Sequence, residues 1–350
     1  ITEALHAAID KAQMGYLPAG VKSDMAEATS DYLSSHYGWA IPAEQIYPTA
    51  DVLSAFDLVL ARFSTPGSAV ILPTPAYMPF LTIAPARGHQ VIQVPMIAGP
   101  SGRAEMDLEA IGRAFEAGAE VFILCNPHNP LGRVYSQEEL EALAVVVEAH
   151  GGLVFSDEIH APLTLEGHRH IPYASLSEAT ANHTLTATSA SKAFNIPGLK
   201  CAQLIVSSAA HQESLREVAF MVSHGSATPG VMANTVAYRA GGPWLADVLG
   251  YLDTNRTLLG ELLATHIPAM GYTPPEGTYI AWIDANGLPD IKGDRSWAQF
   301  FADEAQVGLT DGALCGEAGV GHLRLMLATP GHILEKIILA MAEALKAHSA

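Results

Sequence analysis

Short apolar runs alternate with amphipathic segments through most of the chain. The runs are rich in Val, Ile and Leu and lack polar alternation, which is typical of strands buried on both faces. The segments between them place apolar residues three or four apart, which is typical of helices packed against a sheet. This alternation predicts a mostly parallel sheet covered on both faces by helices. The predicted strands are 46–49, 69–72, 90–95, 120–125, 153–155, 184–188 and 201–206.

The predicted helices of this part precede or connect those strands. The clearest helix start is Ser136, followed three residues on by Glu139, a pair that forms a capping box. Glycine and proline at 15–20 break the chain between the first two helices. The predicted helices are 2–13, 23–36, 51–63, 78–86, 107–117 and 137–150.

The pattern changes from about His211, where longer helices and a smaller unit begin. This part is predicted to contain helices at 228–240, 244–266, 296–304 and 331–347, and strands at 278–283 and 322–328.

These elements predict an α/β protein with two domains. The large domain, 21–253, carries a mostly parallel sheet of the seven-stranded type between helices. A smaller α+β domain, 254–350, follows, and a long helix joins the two. Residues 1–20 are predicted to be an N-terminal segment that belongs to the small domain or to a dimer contact.

Composition narrows the functional classes. The net charge of −18 argues against a nucleic-acid-binding surface, which needs a basic patch. No apolar run reaches the roughly 20 residues of a membrane span, and no signal-peptide pattern is present, so a cytoplasmic protein is expected. Cys125, Cys201 and Cys315 are far apart in mostly apolar runs and predict buried thiols. His168 and His170 are interpreted as a loop pair, and no metal site is expected.

Lys192 lies in a loop between two predicted buried strands. Burial would lower the pKa of its amine and make it nucleophilic, as a Schiff-base lysine requires. The alternative is an ordinary loop lysine whose stem covers apolar neighbours. In the same loop, Ser189 and Ser191 offer hydroxyls, and Lys200 a positive charge, to a phosphate.

Two further loops follow predicted strands. Asn129, in a turn with two Asn-Pro pairs, is able to donate its amide to a ring oxygen, although Asn, Pro and Gly also form turns without any further role. Asp157 follows an apolar strand and is costly to bury without a cationic partner such as a protonated ring nitrogen. His160 lies one helical turn further on. The alternatives are a helix N-cap for Asp157 and a solvent-facing His160.

Three other features complete the set. Tyr77, in a proline-rich turn, is suited to stack on a ring, or it packs in the core. The helix that starts near Asp51 offers backbone N–H groups to an anion, or is an ordinary capped start. Arg324 lies within an apolar strand and needs an anion, either a substrate carboxylate or an internal carboxylate. An amine, a buried carboxylate and a ring-oxygen donor on adjacent strand ends suit pyridoxal phosphate.

These residues stand in the order found in a known family. The chain resembles the class I/II (fold type I) aminotransferases that depend on pyridoxal phosphate, and more narrowly their cystathionine β-lyase branch of the MalY/PatB type. The resemblance covers essentially the whole chain. Its motifs are PAYMPF (75–80), CNPHNPLGRV (125–134), SDEIH (156–160), SKAFNIPGL (191–199) and GTYIAWID (277–284).

The resemblance assigns roles to individual residues. Lys192 corresponds to the lysine that binds the cofactor aldehyde, Asp157 to the partner of the ring nitrogen and Asn129 to the ring-oxygen donor. His160 stands near that oxygen, where many aminotransferases have tyrosine. The resemblance further implies a stacking Tyr77, a phosphate hydroxyl on Ser189, a carboxylate clamp at Arg324, and a Tyr16 that reaches the cofactor of a second subunit in a homodimer.

Two positions depart from the family pattern. Asp51, between Ala50 and Val52, stands where the family usually places glycine against the phosphate. Its carboxylate is expected to repel the phosphate unless it turns away to cap the helix. Cys315 stands where an aromatic residue is more usual.

The resemblance implies a carbon–sulfur lyase that acts on L-cystathionine or related cysteine S-conjugates. The alternative within the family is an aminotransferase that acts on an amino acid and a 2-oxo acid. A regulatory protein on an enzyme fold is the alternative from another class.

Overall fold

The computed structural model describes residues 1–99, 102–289, 291 and 295–349. Its strands are β1 (Ile46–Thr49), β2 (Ala69–Thr74), β3 (Gln90–Pro95), β4 (Ile97–Ala98), β5 (Ala104–Glu105), β6 (Ala119–Cys125), β7 (Leu153–Asp157), β8 (Thr184–Thr188), β9 (Ala202–Val206), β10 (Gly271–Tyr272), β11 (Ile280–Asp284), β12 (Thr310–Asp311) and β13 (His322–Met326).

The helices alternate with these strands. They are α1 (Thr2–Asp10), α2 (Ala19–Tyr37), α3 (Val52–Phe63), α4 (Phe80–Ala86), α5 (Leu108–Glu116), α6 (Gln137–His150), α7 (Glu178–Asn182), α8 (Ala209–Arg216), α9 (Ala219–His224), α10 (Thr228–Ala240), α11 (Gly242–His266), α12 (Trp297–Glu304) and α13 (Gly331–Ser349). None of the helices in the described ranges has the length and apolar character needed to cross a bilayer.

The large sheet has the strand order β1-β9-β8-β7-β6-β2-β3. The pairs β3/β2, β2/β6, β6/β7 and β7/β8 are parallel, whereas β9 runs antiparallel to both β8 and β1. The predicted α/β class with a mostly parallel sheet is therefore confirmed. Because β2, β6, β7 and β8 point the same way, the turns after them lie along one edge of the sheet.

Helices cover both faces of this sheet, as continuous apolar strands require. On one face, Val70, Leu72 and Phe155 pack with residues of α3 and α4. On the other face, Ile71 and Val154 pack with residues of α5 and α6. The capping box predicted from Ser136 and Glu139 begins α6. A sheet buried on both faces leaves its strand ends as the place where polar side chains can gather.

A second, antiparallel sheet has the order β10-β11-β13-β12. Its inward residues, such as Ala281, Ile283 and Leu323, share a hydrophobic cluster with residues of α11 and α13. The opposite face of β13 carries Arg324, which pairs with Trp282 on β11 and Thr310 on β12. The second sheet thus holds the predicted clamp residue, and the domain boundaries at 20 and 253 stay predictions.

Several predicted bounds are wrong. The first helix ends at Asp10 rather than at residue 13, where Ala12 has a φ of 53°. The strand predicted to begin at 278 begins at Ile280, because Thr278 also has a positive φ, of 72°. Two-residue strands and helices α7 to α9 were not predicted, since such short elements show no periodicity.

Candidate active site

The side chains selected from the sequence converge at the edge where the parallel strands end. A cavity of about 200 Å³ opens there, beside the turns that follow β1, β2, β6, β7 and β8. The predicted residues that line it are Ala50, Asp51, Val52, Tyr77, Asn129, Asp157, His160, Lys192 and Lys200. This position agrees with the general rule for ligands in open α/β sheets.

Lys192 is half-buried in the turn after β8. The turn is fixed by two hydrogen bonds, from the N–H of Ala190 to Asn234 Oδ1 (3.1 Å) and from the N–H of Ser191 to Ser189 Oγ (2.9 Å). Among the described residues no carboxylate oxygen lies within 4.0 Å of the Lys192 amine. The amine is therefore held at the cavity wall without an ion-pair partner.

Asp157 is a buried carboxylate at the end of β7, with 4% of its surface exposed. Its Oδ1 accepts the N–H of Ile159 at 3.1 Å, and no Lys or Arg nitrogen of the described residues lies within 4.0 Å. Burial, with a smaller contribution from Glu158, raises the pKa of Asp157 to about 7, although Ile159 and Lys192 oppose the shift. A cationic group inside the cavity would stabilise this carboxylate.

This raised pKa predicts a pH-dependent stability of the cofactor-free protein. Between the ordinary value of 3.8 and about 7, the unfolded chain loses the Asp157 proton while the folded protein retains it. The contribution of Asp157 therefore falls as pH rises, by up to about 1.4 kcal/mol per pH unit in this window. We expect Asp157→Asn, which keeps an acceptor for Ile159, to remove this loss.

The measurement is denaturant unfolding of the wild-type protein and of Asp157→Asn across this pH window. The variant should gain stability relative to the wild type as pH rises from about 4 to about 7. A difference in unfolding free energy that does not change with pH would contradict the assignment.

Arg324 extends from β13 towards the Asn129 turn. Its Nη1 donates to Asn129 Oδ1 and its Nη2 to Thr310 Oγ1, both at 3.4 Å, and its buried Nε has no partner. No carboxylate of the described residues lies within 4.0 Å, so the alternative of an internal salt bridge is not found there. The guanidinium is available for a substrate carboxylate, while the Asn129 amide nitrogen remains free to face a ring oxygen.

His160 is buried, with 3% of its surface exposed, so the alternative of a solvent-facing histidine is wrong. Burial, together with the charges of Lys192 and Arg324, lowers its pKa to about 3. The imidazole is therefore neutral at ordinary pH, and its Nδ1 has no hydrogen-bond partner. Tyr279 packs against the ring with a centroid distance of 5.4 Å.

Tyr77 is half-buried in the turn after β2 and packs edge-on against Phe80, with ring centroids 5.9 Å apart. The tyrosine therefore belongs partly to the core and partly to the cavity wall, which combines the two interpretations offered by the sequence.

Asp51 adopts the second of the two expected arrangements. Its Oδ1 accepts the N–H and the hydroxyl of Ser54, at 2.8 and 2.7 Å, and so caps α3. Its Oδ2 lies 2.9 Å from Lys200 Nζ. Burial opposes ionisation, but the bonds from Ser54 and Lys200 lower the pKa of Asp51 overall. Lys200 is thus not an unpaired cation in this structure.

The structure places two predicted residues outside the cavity wall. Ser189 is fully buried, and its hydroxyl donates to the Cys201 carbonyl at 2.7 Å, whereas Ser191 lines the cavity. Tyr16 is 88% exposed and lines a different cavity, of about 990 Å³, where its ring stacks on His224. Within this chain, neither side chain faces Lys192.

Sequence reasoning missed the segment that joins the site loops. The Gly132 carbonyl accepts the N–H groups of Glu276 and Gly277 at 2.7 and 3.0 Å, and the Leu163 carbonyl accepts that of Thr278 at 2.9 Å. Gly132 has a φ of 70°, and a Cβ there would lie 2.3 Å from Pro275, so this approach requires glycine. The segment 276–278 therefore connects the Asn129 turn to the loop after His160.

Glu276 anchors this segment. Its buried carboxylate accepts from Arg133 Nε (3.1 Å) and the N–H of Val134 (2.8 Å), and it also pairs with Arg103. The sequence signals that a glutamate among prolines and glycine needs a cation if it is buried, but it does not identify which arginine supplies it.

Comparisons with known proteins agree with this geometry. The family model for aminotransferase class I and II matches residues 1–337. Cystathionine beta-lyase PatB of Bacillus subtilis (strain 168) is 32% identical, over 93% of this chain and 83% of its own. The cystathionine beta-lyase of Corynebacterium glutamicum is 32% identical, over 90% and 82%. The solved structure of a PLP-bound C-S lyase from Staphylococcus hominis superposes with a TM-score of 0.92 at 27% identity, over 98% of this chain and 89% of its own.

Proposed function

We propose, because this chain belongs to the aminotransferase class I and II family, that it is a pyridoxal-phosphate-dependent carbon–sulfur β-lyase. The reaction converts L-cystathionine or a related cysteine S-conjugate and water to a thiol, pyruvate and ammonia. The observation that carries the proposal is the group of Lys192, Asp157, Asn129 and Arg324 around one cavity, in which neither the lysine nor the arginine has a carboxylate partner among the described residues.

The residues of the cavity fit the proposed cofactor group by group. The Lys192 amine meets the aldehyde, and the Asp157 carboxylate, whose buried position lacks a cation, meets a protonated ring nitrogen. The Asn129 amide nitrogen donates to the ring oxygen, and Tyr77 covers a ring face. Ala50, Val52, Ser191 and Lys200 line the part that takes the phosphate. Pyridoxal phosphate, when bound, supplies a ring that accepts electrons from the substrate α-carbon.

The chain itself supplies binding and proton transfer. Arg324 binds the substrate α-carboxylate through its planar guanidinium, in the bidentate geometry that arginine favours. Once the substrate amine has taken its place on the cofactor, the free Lys192 amine accepts the α-proton. His160, neutral and buried next to Lys192, adds no competing positive charge.

The lyase assignment over an aminotransferase rests on the relatives. Proteins named cystathionine beta-lyase share 32% identity with this chain over at least 90% of its length. The aminotransferase remains the second candidate, because the matching family model carries that description.

Product analysis distinguishes the two candidates. The holoenzyme is given L-cystathionine, L-cystine, or an amino acid with a 2-oxo acid, and pyruvate, thiol and new amino acid are measured in parallel. We expect equimolar thiol and pyruvate from a cysteine conjugate. Conversion of the 2-oxo acid to an amino acid, without thiol release from either conjugate, would replace the lyase by the aminotransferase.

A homodimer and a cytoplasmic location complete the proposal. Tyr16 is exposed beside the exposed Phe220 and Met221, a patch suited to a second copy of this chain that Tyr16 would enter. A monomer in sedimentation equilibrium would contradict the dimer. The buried free thiols of Cys125, Cys201 and Cys315 support a reducing compartment. Recovery of the native protein outside the cytoplasm would contradict that location.

A further inference from the structure

Asp51 and Lys200 form an ion pair in the wall of the cavity. The contact is 2.9 Å long and joins the turn between β1 and α3 to the loop that precedes β9. The cavity wall therefore contains a carboxylate at the place where the proposed function needs to accept the phosphate.

The Asp51 carboxylate is fixed in position. One oxygen accepts both the N–H and the hydroxyl of Ser54, so the side chain is anchored to the first turn of α3. This cap uses only one of the N–H groups that a helix start leaves unpaired, and those of Val52 and Leu53 have no intrahelical partner. Both residues line the cavity. An anion bound there would lie close to a carboxylate that cannot swing away without uncapping the helix.

Lys200 has a fixed backbone but a mobile side chain. Its φ of 54° is uncommon for a residue with a side chain, and its carbonyl accepts the N–H of Ala227 at 3.0 Å. Gly230 packs so closely that a Cβ would lie 1.9 Å from the Leu199 carbonyl oxygen. The side chain of Lys200 is 57% exposed, and exposed ion pairs contribute little. Lys200 can therefore turn from Asp51 to a phosphate at small cost.

The charges of the cavity make this exchange matter. Its ionised lining residues are Asp51, Asp157, Lys192 and Lys200, so the two cations are already matched by two carboxylates. A phosphate that recruits Lys200 leaves the fixed charge of Asp51 without its partner. The repulsion between two neighbouring anions then opposes binding.

We propose that Asp51 is a resident anion that competes with the cofactor phosphate for Lys200 and so lowers the affinity of the cavity for phosphate-bearing ligands. The inference rests on the proposed function, because it takes pyridoxal phosphate as the ligand. Asp51 is a specificity-determining residue, which reduces the preference of the cavity for pyridoxal phosphate over pyridoxal.

The test is equilibrium titration of the cofactor-free protein with pyridoxal phosphate and with pyridoxal, followed by absorbance. Asp51→Asn removes the charge and keeps a good N-cap, and Asp51→Ser serves as a second variant if the first does not fold. We expect either variant to bind pyridoxal phosphate about tenfold more tightly and pyridoxal unchanged. Lys200→Met should weaken pyridoxal phosphate binding alone.

Asp107→Asn is the matched control, because Asp107 caps α5 through the N–H of Ala110 at 2.9 Å and does not line the cavity. It should leave both affinities unchanged. Equal or weaker binding of pyridoxal phosphate by the Asp51 variants, or an equal gain for both ligands, would overturn the inference and leave the proposed function intact. Failure of the wild-type protein to bind pyridoxal phosphate would instead overturn the proposed function.

Discussion

Replacing Lys192 by alanine is expected to abolish turnover and the covalent attachment of pyridoxal phosphate. The cavity holds only one other lysine, Lys200, which is paired with Asp51. Alanine removes both the amine that condenses with the aldehyde and the base that accepts the α-proton, so the loss should be about a thousandfold or more.

Absorbance of the bound cofactor and release of pyruvate are the two measurements for Lys192→Ala. Lys336→Ala, on the exposed side of α13, is the matched control and should retain both signals. If Lys192→Ala retains both the borohydride-sensitive absorbance and pyruvate release, Lys192 is not the reactive residue. Borohydride-sensitive absorbance that persists without turnover would point to attachment at another amine.

Replacing Arg324 by lysine is expected to reduce kcat/KM about a hundredfold, chiefly through KM. Lysine keeps the positive charge but loses the planar pair of donors that matches a carboxylate. Loss of charge-assisted hydrogen bonds of this kind costs about 3 kcal/mol, which corresponds to that factor. The absence of an ion-pair partner among the described residues means that the substitution breaks no internal salt bridge.

Steady-state kinetics of Arg324→Lys and of Arg113→Lys separate the two effects. Arg113 makes only a surface pair with Glu109 on α5, so the same chemical change there should leave both constants unaltered. Cofactor absorbance should persist in both variants. A normal KM in Arg324→Lys would remove the arginine from substrate binding.

The sequence predicts the site because its polar residues follow continuous apolar strands. Asp157 and Lys192 stand directly after such runs, and parallel strands bring their ends to one edge. The antiparallel direction of β9 was not predictable in this way, because a strand buried on both faces has the same pattern in either direction.

Pairings between distant residues were the other limit. Asp51 and Lys200 are 149 positions apart, and nothing in either local pattern selects the other as partner. The orientation of neighbouring hydroxyls was equally hidden, because Ser189 turns inwards to the Cys201 carbonyl while Ser191 lines the cavity. Such choices depend on packing between loops, which periodicity does not encode.

The most direct test of the central claim is to locate the residue that holds the cofactor. The protein is incubated with pyridoxal phosphate, reduced with borohydride, digested and analysed by mass spectrometry. We predict a phosphopyridoxyl group on Lys192 and on no other lysine at one equivalent of cofactor. Modification of a different lysine with Lys192 left free, or no modification at all, would contradict the account.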